Sequence, residues 1–544
     1  MFKKAAEPAI GTTFADALEM QASGQTASNA TELASIARGA SRDDRSFWLL
    51  PVLIALFGLA LRLYRLNYES YWGDEIFAFA LVKLPWGAMH AAMVKDVVHP
   101  PLHYYLLHEW FQWFGFGTLQ GRLLSAIMGT LAIPALYGLA KLLSDRQTAL
   151  ISALLLAASQ LSIQYSQEAR AYALLLLLTI ASSYFFLRAV KERRPLFWWL
   201  FVAAAVLVEC THYFGLLALF SLAAFGALYR RAHPIPRSWW IGGSLIIGAF
   251  LAAWLASGPL HEALYGPKMA SERGKAWSER WFAPFELVNV FNNGRPNALY
   301  GLAPLWTFFC GGLIFSLPAA IGLVRSLGNR DKQNSAVSCE SAAFLLLSSA
   351  LPVMISLTMG LFIRFYEYRY LSFCVAPYYV LVARGMTSFR SRLAAPLLAS
   401  VALFYSVFAL RANYFVPYKE DFRDSMTYLA AHSQPGDCYA VIPRGEDYHF
   451  HMAREVYASG MPPLTFTPIE ALQDRDCARS WLITYTRGDF SDLVRLKRNI
   501  RNQLDARFAA IDRQSYFWIA LDLYDTRPSG RPSAALFQRP EGNR

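Results

Sequence analysis

The sequence predicts a multi-span α-helical membrane protein with a small C-terminal α/β domain. Three observations carry that prediction. Hydrophobic residues make up 55% of the 544 and charged residues only 17%, whereas soluble domains carry about a quarter charged. Apolar runs of bilayer-crossing length recur as far as Leu410. Lys and Arg gather in short clusters between those runs, as they do in cytoplasmic loops. That placement assigns the net charge of +12 to membrane topology rather than to nucleic acid. The 15 Trp suit a chain with many lipid–water boundaries, where amphipathic rings settle.

Residues 1–46 are polar and rich in Ala, Ser and Thr, which reads as a disordered cytoplasmic tail. They place the first apolar run too late for an ordinary signal peptide. The spans are then expected at Phe47–Leu66, Arg122–Leu143, Thr148–Gln164, Ala171–Val190, Leu196–Phe214 and Gly215–Tyr229. Further spans are expected at Trp239–Leu260, Leu302–Val324, Ala342–Phe362, Leu371–Met386 and Leu393–Leu410. That makes about 11 transmembrane helices within a membrane domain of residues 47–412. Basic clusters at Lys191–Arg194, Arg230 to Arg237, Arg325 to Lys332 and Arg384 to Arg392 occupy alternate loops. Placing them inside puts the N-terminus in the cytoplasm. The long loops 67–120 and 261–300, the Ser166–Arg170 link and residues 413–544 then lie outside, in a bacterial periplasm.

The last part, 413–544, is rich in charged and turn residues. Strand-like runs Cys438–Ile442, Trp481–Tyr485 and Phe517–Leu523 alternate there with helix-like ones such as Arg423–Ala431. The six Cys show no CxxC and no metal-ligand spacing. Cys210, Cys310 and Cys374 fall in apolar runs and read as small buried hydrophobes. An oxidising compartment would permit a disulfide between Cys438 and Cys477.

The polar motifs collect on the outer side of this topology. Asp74 and Glu75 follow the first span among Trp72, Phe77 and Phe79, where shielding can shift a carboxylate toward general-base work. Asp96 and His99 precede a double Pro, Pro100–Pro101, that pins the chain. Tyr165, Gln167, Glu168 and Arg170 link the third and fourth spans, and the Arg fork suits a phosphate. His212–Tyr213 and Arg369–Tyr370 end up at outer helix ends. Taken singly, the acidic pair also fits a solvated boundary, His99 an ordinary loop histidine, the Glu168–Arg170 segment an internal ion pair, and the last two clusters an aromatic belt with snorkelling Arg. All of them on one face is the stronger observation, because ionisable groups near a membrane interior are costly to keep.

These motifs, Trp72-Gly-Asp-Glu75, His99-Pro-Pro-Leu102, Tyr165-Ser-Gln-Glu-Ala-Arg170, His212-Tyr-Phe-Gly215, Arg369-Tyr-Leu371 and Lys419-Glu-Asp-Phe-Arg423, resemble those of the PMT-type membrane glycosyltransferases of the GT-C fold. Protein O-mannosyltransferases, the lipid A aminoarabinose transferase and rhizobial galacturonosyl transferases share that plan, and the resemblance covers about residues 47 to 440. It implies Asp74 as catalytic base with Glu75 beside it. It also implies a donor site for phosphate and sugar at His99, Tyr165, Gln167, Glu168, Arg170, His212, Tyr213, Arg369 and Tyr370. One departure stands out: Asp96 lies three positions before His99, where the family has its acid two before. The implied reaction moves one sugar from a polyprenyl-phosphate carrier to a hydroxyl of an exported lipid, glycan or protein, with inversion. No nucleotide donor is expected, and no GxGxxG enters a helix. No cofactor or metal is required, although an acidic pair can bind a divalent cation. The alternative is a transporter or flippase of a lipid-linked sugar, which needs no acidic pair in a long external loop.

Overall fold

The computed structural model describes residues 49–94, 99–261, 283–294, 304–328, 332–360, 367–442, 447–469, 477–485 and 491–527. Residues 1–46 and parts of both long loops, Asp96 among them, lie outside the described residues.

Each predicted span falls on helix within the described residues. The N-terminal ones are α1 Leu49–Leu63, α5 Thr118–Leu143, α6 Arg146–Ala157 with α7 Gln160–Ser166, α8 Tyr172–Glu192, α9 Pro195–Glu209, α10 Gly215–Leu228 and α11 Arg237–Ala256. Among the described residues six helices are long and apolar enough to cross a bilayer by themselves, or seven if the bent pair α6–α7 is one span. Their outer faces are apolar: Leu245 is 67% exposed and Phe404 76%. Such exposure is tolerable only in lipid.

Three helices fold from the first long loop: α2 Gly73–Val82, α3 Trp86–Val94 and α4 Leu102–Phe114. Pro101 is the N-cap residue of α4, where its fixed φ and missing N–H cost little. The short helix α12 Ala283–Asn293 comes from the second loop. A helix from Pro304 to Gly328 carries a π-turn at Gly312–Ser316 and packs on α15 Val375–Thr387. The helix between these two, α14, spans Lys332–Gly360, and α16 covers Ala394–Phe415. A Cβ at Gly385 would lie 1.7 Å from the Pro318 carbonyl oxygen, so only glycine lets these backbones touch.

The third apolar run is broken. Helices α6 and α7 meet at 54°. The Ser159 side chain caps α7 by accepting from the Ser162 N–H. The Arg62 guanidinium donates to the Ala157 carbonyl (3.1 Å) and to Ser162 Oγ (2.9 Å), satisfying groups that the break would orphan. The bend turns residues 160–171 into a fully buried segment under the outer face.

Beyond α17 Phe422–His432 and α18 Asp447–Tyr457, the tail forms a five-stranded sheet in the order β2-β1-β3-β5-β4. The strands are β1 Cys438–Ile442, β2 Thr465–Phe466, β3 Arg479–Tyr485, β4 Ala509–Tyr516 and β5 Ile519–Asp525, with α19 Ser491–Asp505 between β3 and β4. β1 and β3 pair in parallel, and β5 runs antiparallel to both β3 and β4. Alternation along the central strands feeds two cores. Tyr439, Val441, Trp481 and Ile483 join Ile76, Phe79 and Phe111 of the loop helices in one. Ala440, Ile442, Leu482 and Tyr524 meet Leu504 of α19 in the other. The membrane-side loop and the tail therefore share a single apolar core.

Two tail expectations change. The strand predicted from Phe517 begins at Ile519, because Phe517 and Trp518 form the hairpin turn, with Trp518 at φ 61°. β4 was not anticipated: it is an exposed edge with no buried face, so it shows no apolar alternation. Cys438 and Cys477 form a disulfide, their Cα atoms 5.9 Å apart. Of the cysteines read as buried, Cys374 is buried but Cys310 is exposed.

Candidate active site

Asp74 and Glu75 open α2, side by side in sequence, and the fold sends them to different environments. Glu75 is fully buried. Arg122, at the outer end of α5, donates to both of its oxygens at 2.9 and 2.8 Å. The Lys419 ammonium donates at 2.9 Å and the Ala169 N–H at 2.9 Å. Burial by itself would raise this carboxyl, but the Arg122 and Lys419 charges and these bonds outweigh it and hold the group at about 2. Arg122 also donates to the Leu66, Glu69 and Ser70 carbonyls, which fixes the turn into α2. Glu75 is thus an anchor, and no acceptor hydroxyl reaches it.

Asp74 is 35% exposed at its side chain. Arg369 Nη1 donates to its Oδ2 at 3.1 Å, and Arg170 Nη1 donates to its backbone carbonyl at 3.1 Å. Arg170 Nη2 lies 2.7 Å from His99 Nε2. A guanidinium can only donate, so that ring nitrogen accepts and the His99 proton belongs on Nδ1. Rings extend the cluster: His99 packs on His212 with centroids 5.6 Å apart, and His212 on Tyr370 at 4.9 Å. The Arg369 guanidinium lies over the Trp72 ring at 5.2 Å. Burial would lower Arg369, and the Asp74 carboxylate beside it holds the guanidinium charged.

A cavity of about 550 Å³ adjoins Asp74 through Trp72 and Arg369. Tyr165, Glu168, Glu367 and Lys419 form more of its wall. Burial pushes the Glu168 carboxyl up and the nearby Lys419 ammonium pulls it back. The structure therefore gathers Asp74, His99, Tyr165, Glu168, Arg170, His212, Arg369 and Tyr370 in one place. Two other expected residues point elsewhere. Gln167 gives both amide hydrogens to the Arg62 and Tyr64 carbonyls (2.9 and 2.8 Å), so none remains for a phosphate. The Tyr213 hydroxyl accepts from Trp254 Nε1 on α11 at 2.9 Å. His103 was not anticipated. It is buried beside Arg170, and burial first, then that cation, lowers it to about 3, so it stays neutral. Arg122 was missed as well, although a lone Arg opening an apolar run is itself a signal. Among the described residues no group of three His, Cys, Asp or Glu is placed to hold a metal ion.

Residues 98–256, which hold the His-Pro-Pro segment, Arg170 and His212, match the family model of dolichyl-phosphate-mannose-protein mannosyltransferase. This match and the fold support a PMT-type membrane glycosyltransferase of the GT-C fold. The fold is that of the oligosaccharyltransferase AglB from Archaeoglobus fulgidus, solved with an inhibitory peptide and a dolichol-phosphate. AglB is 12% identical at TM-score 0.50, over 82% of this chain and 70% of that one. ArnT from Cupriavidus metallidurans, bound to undecaprenyl phosphate, is 14% identical over 89% of this chain and 99% of its own, at TM-score 0.42. No curated protein matches the sequence. The matched segment supplies the buried Arg170–His99 side of the site, and Asp74 and Arg369 are added from outside it.

Proposed function

We propose that the transferase moves one sugar from a polyprenyl-phosphate-linked donor to a hydroxyl of an exported lipid, glycan or protein, at the outer face of the bacterial inner membrane and with inversion. The observation that carries this reading is the Asp74–Arg369 pair beside the cavity: a part-exposed carboxylate held by a guanidinium at 3.1 Å. Asp74 takes the acceptor's hydroxyl proton as the new bond to the anomeric carbon forms. The old bond breaks toward the phosphate, which leaves with the electron pair, and Arg369 stabilises the charge growing there. Arg170 acts behind it, orienting His99 and the backbone of Asp74. A phosphate leaving group requires no metal, so none is assigned. The alternating basic loops and the disulfide in the tail support a cytoplasmic N-terminus and a periplasmic C-terminal domain.

The test compares envelope lipids, glycans and glycoproteins by mass spectrometry in wild type, a deletion strain and Asp74→Asn at equal expression. One sugar mass missing from one species in both mutants is the expected result, and it names donor and acceptor together. If deletion removes a product that Asp74→Asn still makes, Asp74 is not the base and flipping of a lipid-linked sugar becomes the better reading.

A further inference from the structure

The wall of the cavity is rich in acceptors that nothing in the fold satisfies. Glu168 is 2% exposed and Gln164 4%. Glu168 Oε1 accepts from the Tyr418 hydroxyl at 3.2 Å and faces Lys419 at 3.8 Å. Among the described residues Glu168 Oε2 and Gln164 Oε1 are buried with no hydrogen-bond partner. A buried acceptor left unmet costs about 1–3 kcal/mol, more when charged, which a ligand bringing O–H or N–H groups removes. Both side chains line the same cavity, beside the Trp72 and Tyr165 rings, on which a sugar's apolar face can lie.

Charge sharpens the choice of ligand. The cations on this wall already have partners: Arg369 pairs with Asp74, and Lys419 with Glu75 and Glu168. Glu367 adds a further carboxylate to the wall. A carboxylate entering here would meet acidic groups and unmet acceptors, and both cations among the described wall residues already face carboxylates, a strongly unfavourable desolvation.

We propose that this cavity receives the glycosyl unit of the donor and selects one that donates hydrogen bonds, a neutral or amino sugar, over a uronic acid, with Glu168 as the specificity-determining residue. The assignment rests on the glycosyltransferase reading above.

The test uses the purified full-length chain in nanodiscs and measures binding of undecaprenyl phosphate alone and carrying glucose, glucosamine or galacturonate. The glucose or the glucosamine form is expected to bind at least about 10-fold tighter than the bare phosphate, and the galacturonate form no tighter. Glu168→Gln should cut that gain about 10-fold while leaving bare-phosphate affinity in place. Gln164→Leu, which removes no side-chain bond of the fold, should cut it by about 3-fold and serves if Glu168→Gln does not fold. Tighter binding of the galacturonate form, or a gain that survives both substitutions, overturns the proposal. Failure of bare undecaprenyl phosphate to bind the wild type would instead strike the donor class itself.

Discussion

Asp74 and Glu75 are neighbours on one helical turn, yet one is part-exposed beside Arg369 at the cavity's edge and the other is sealed in the fold. Both oxygens of Glu75 are satisfied within the fold: two bonds from Arg122, one from Lys419 and one from a backbone amide. Around Asp74 and the cavity, carboxylate and amide oxygens are left exposed or unmet. The sealed side buys rigidity, and the open side keeps interactions in reserve for a substrate. Rigid support behind an unfinished front is what holds a reacting carboxylate in place.

The largest effects should separate the two sides cleanly. Asp74→Asn is expected to lower product formation by about 10²–10⁴-fold. Its melting temperature in detergent should stay near wild type, since Asp74 is part-exposed. A melting loss matching the activity loss would place Asp74 with the anchors instead. Glu75→Gln should do the reverse: it leaves the buried Arg122 charge uncompensated and Lys419 with Glu168 alone, and costs about 3–5 kcal/mol of stability.

The same anchor predicts a pH window. Glu75 titrates at about 2 in the folded chain against an ordinary 4.5. A depressed carboxyl stabilises the fold fully above its unfolded value, and the contribution fades as pH falls from there toward the folded one. The melting-temperature gap between wild type and Glu75→Gln should therefore be constant above about pH 4.5 and narrow below it. A gap that grows on acidification would contradict the ion-pair assignment.

Arg369→Lys keeps the charge but loses the planar fork over Trp72 and beside Asp74. It should slow turnover by about 10–100-fold with little change in melting temperature. The smallest effect concerns the tail. A Cβ at Gly73 would lie 2.8 Å from His449 Nε2, and the Tyr71 N–H donates to the Tyr457 hydroxyl at 2.7 Å. Helix α18 thus presses on the start of the helix that carries Asp74. Gly73→Ala should cost about 1–3 kcal/mol by overpacking, and His449→Ala in the same chain should restore part of it. No rescue would mean that the tail does not set the position of α2.

Much of this was legible in the residues. Trp72-Gly-Asp-Glu75, His99-Pro-Pro and Tyr165 to Arg170 stood out because polar groups at the edge of apolar runs are costly and draw attention. What the pattern could not show was which neighbour of a pair does which work. Glu75 and Gln167 looked as suited to a substrate as Asp74 and Glu168. Their partners Arg122, Lys419, Arg62 and Asn413 come from distant segments. The helices α2 to α4 were hidden for a related reason: their apolar faces meet strands β1 and β3 of the tail, so their periodicity makes sense only against a partner far along the chain.

The sequence by itself determined the membrane class, the apolar runs that fold as helices and the short set of polar residues worth attention. Those follow from local composition, since about 20 apolar residues suffice for a helix to cross lipid whatever surrounds it. Only the tertiary structure decided that Asp74 stays part-exposed beside Arg369 while Glu75 is locked in the fold, and that the tail domain shares a core with the external helices. Both depend on contacts between segments hundreds of residues apart, such as Lys419 with Glu75 and Arg369 with Asp74. Ion pairing and burial act through space, and no window along the chain records them.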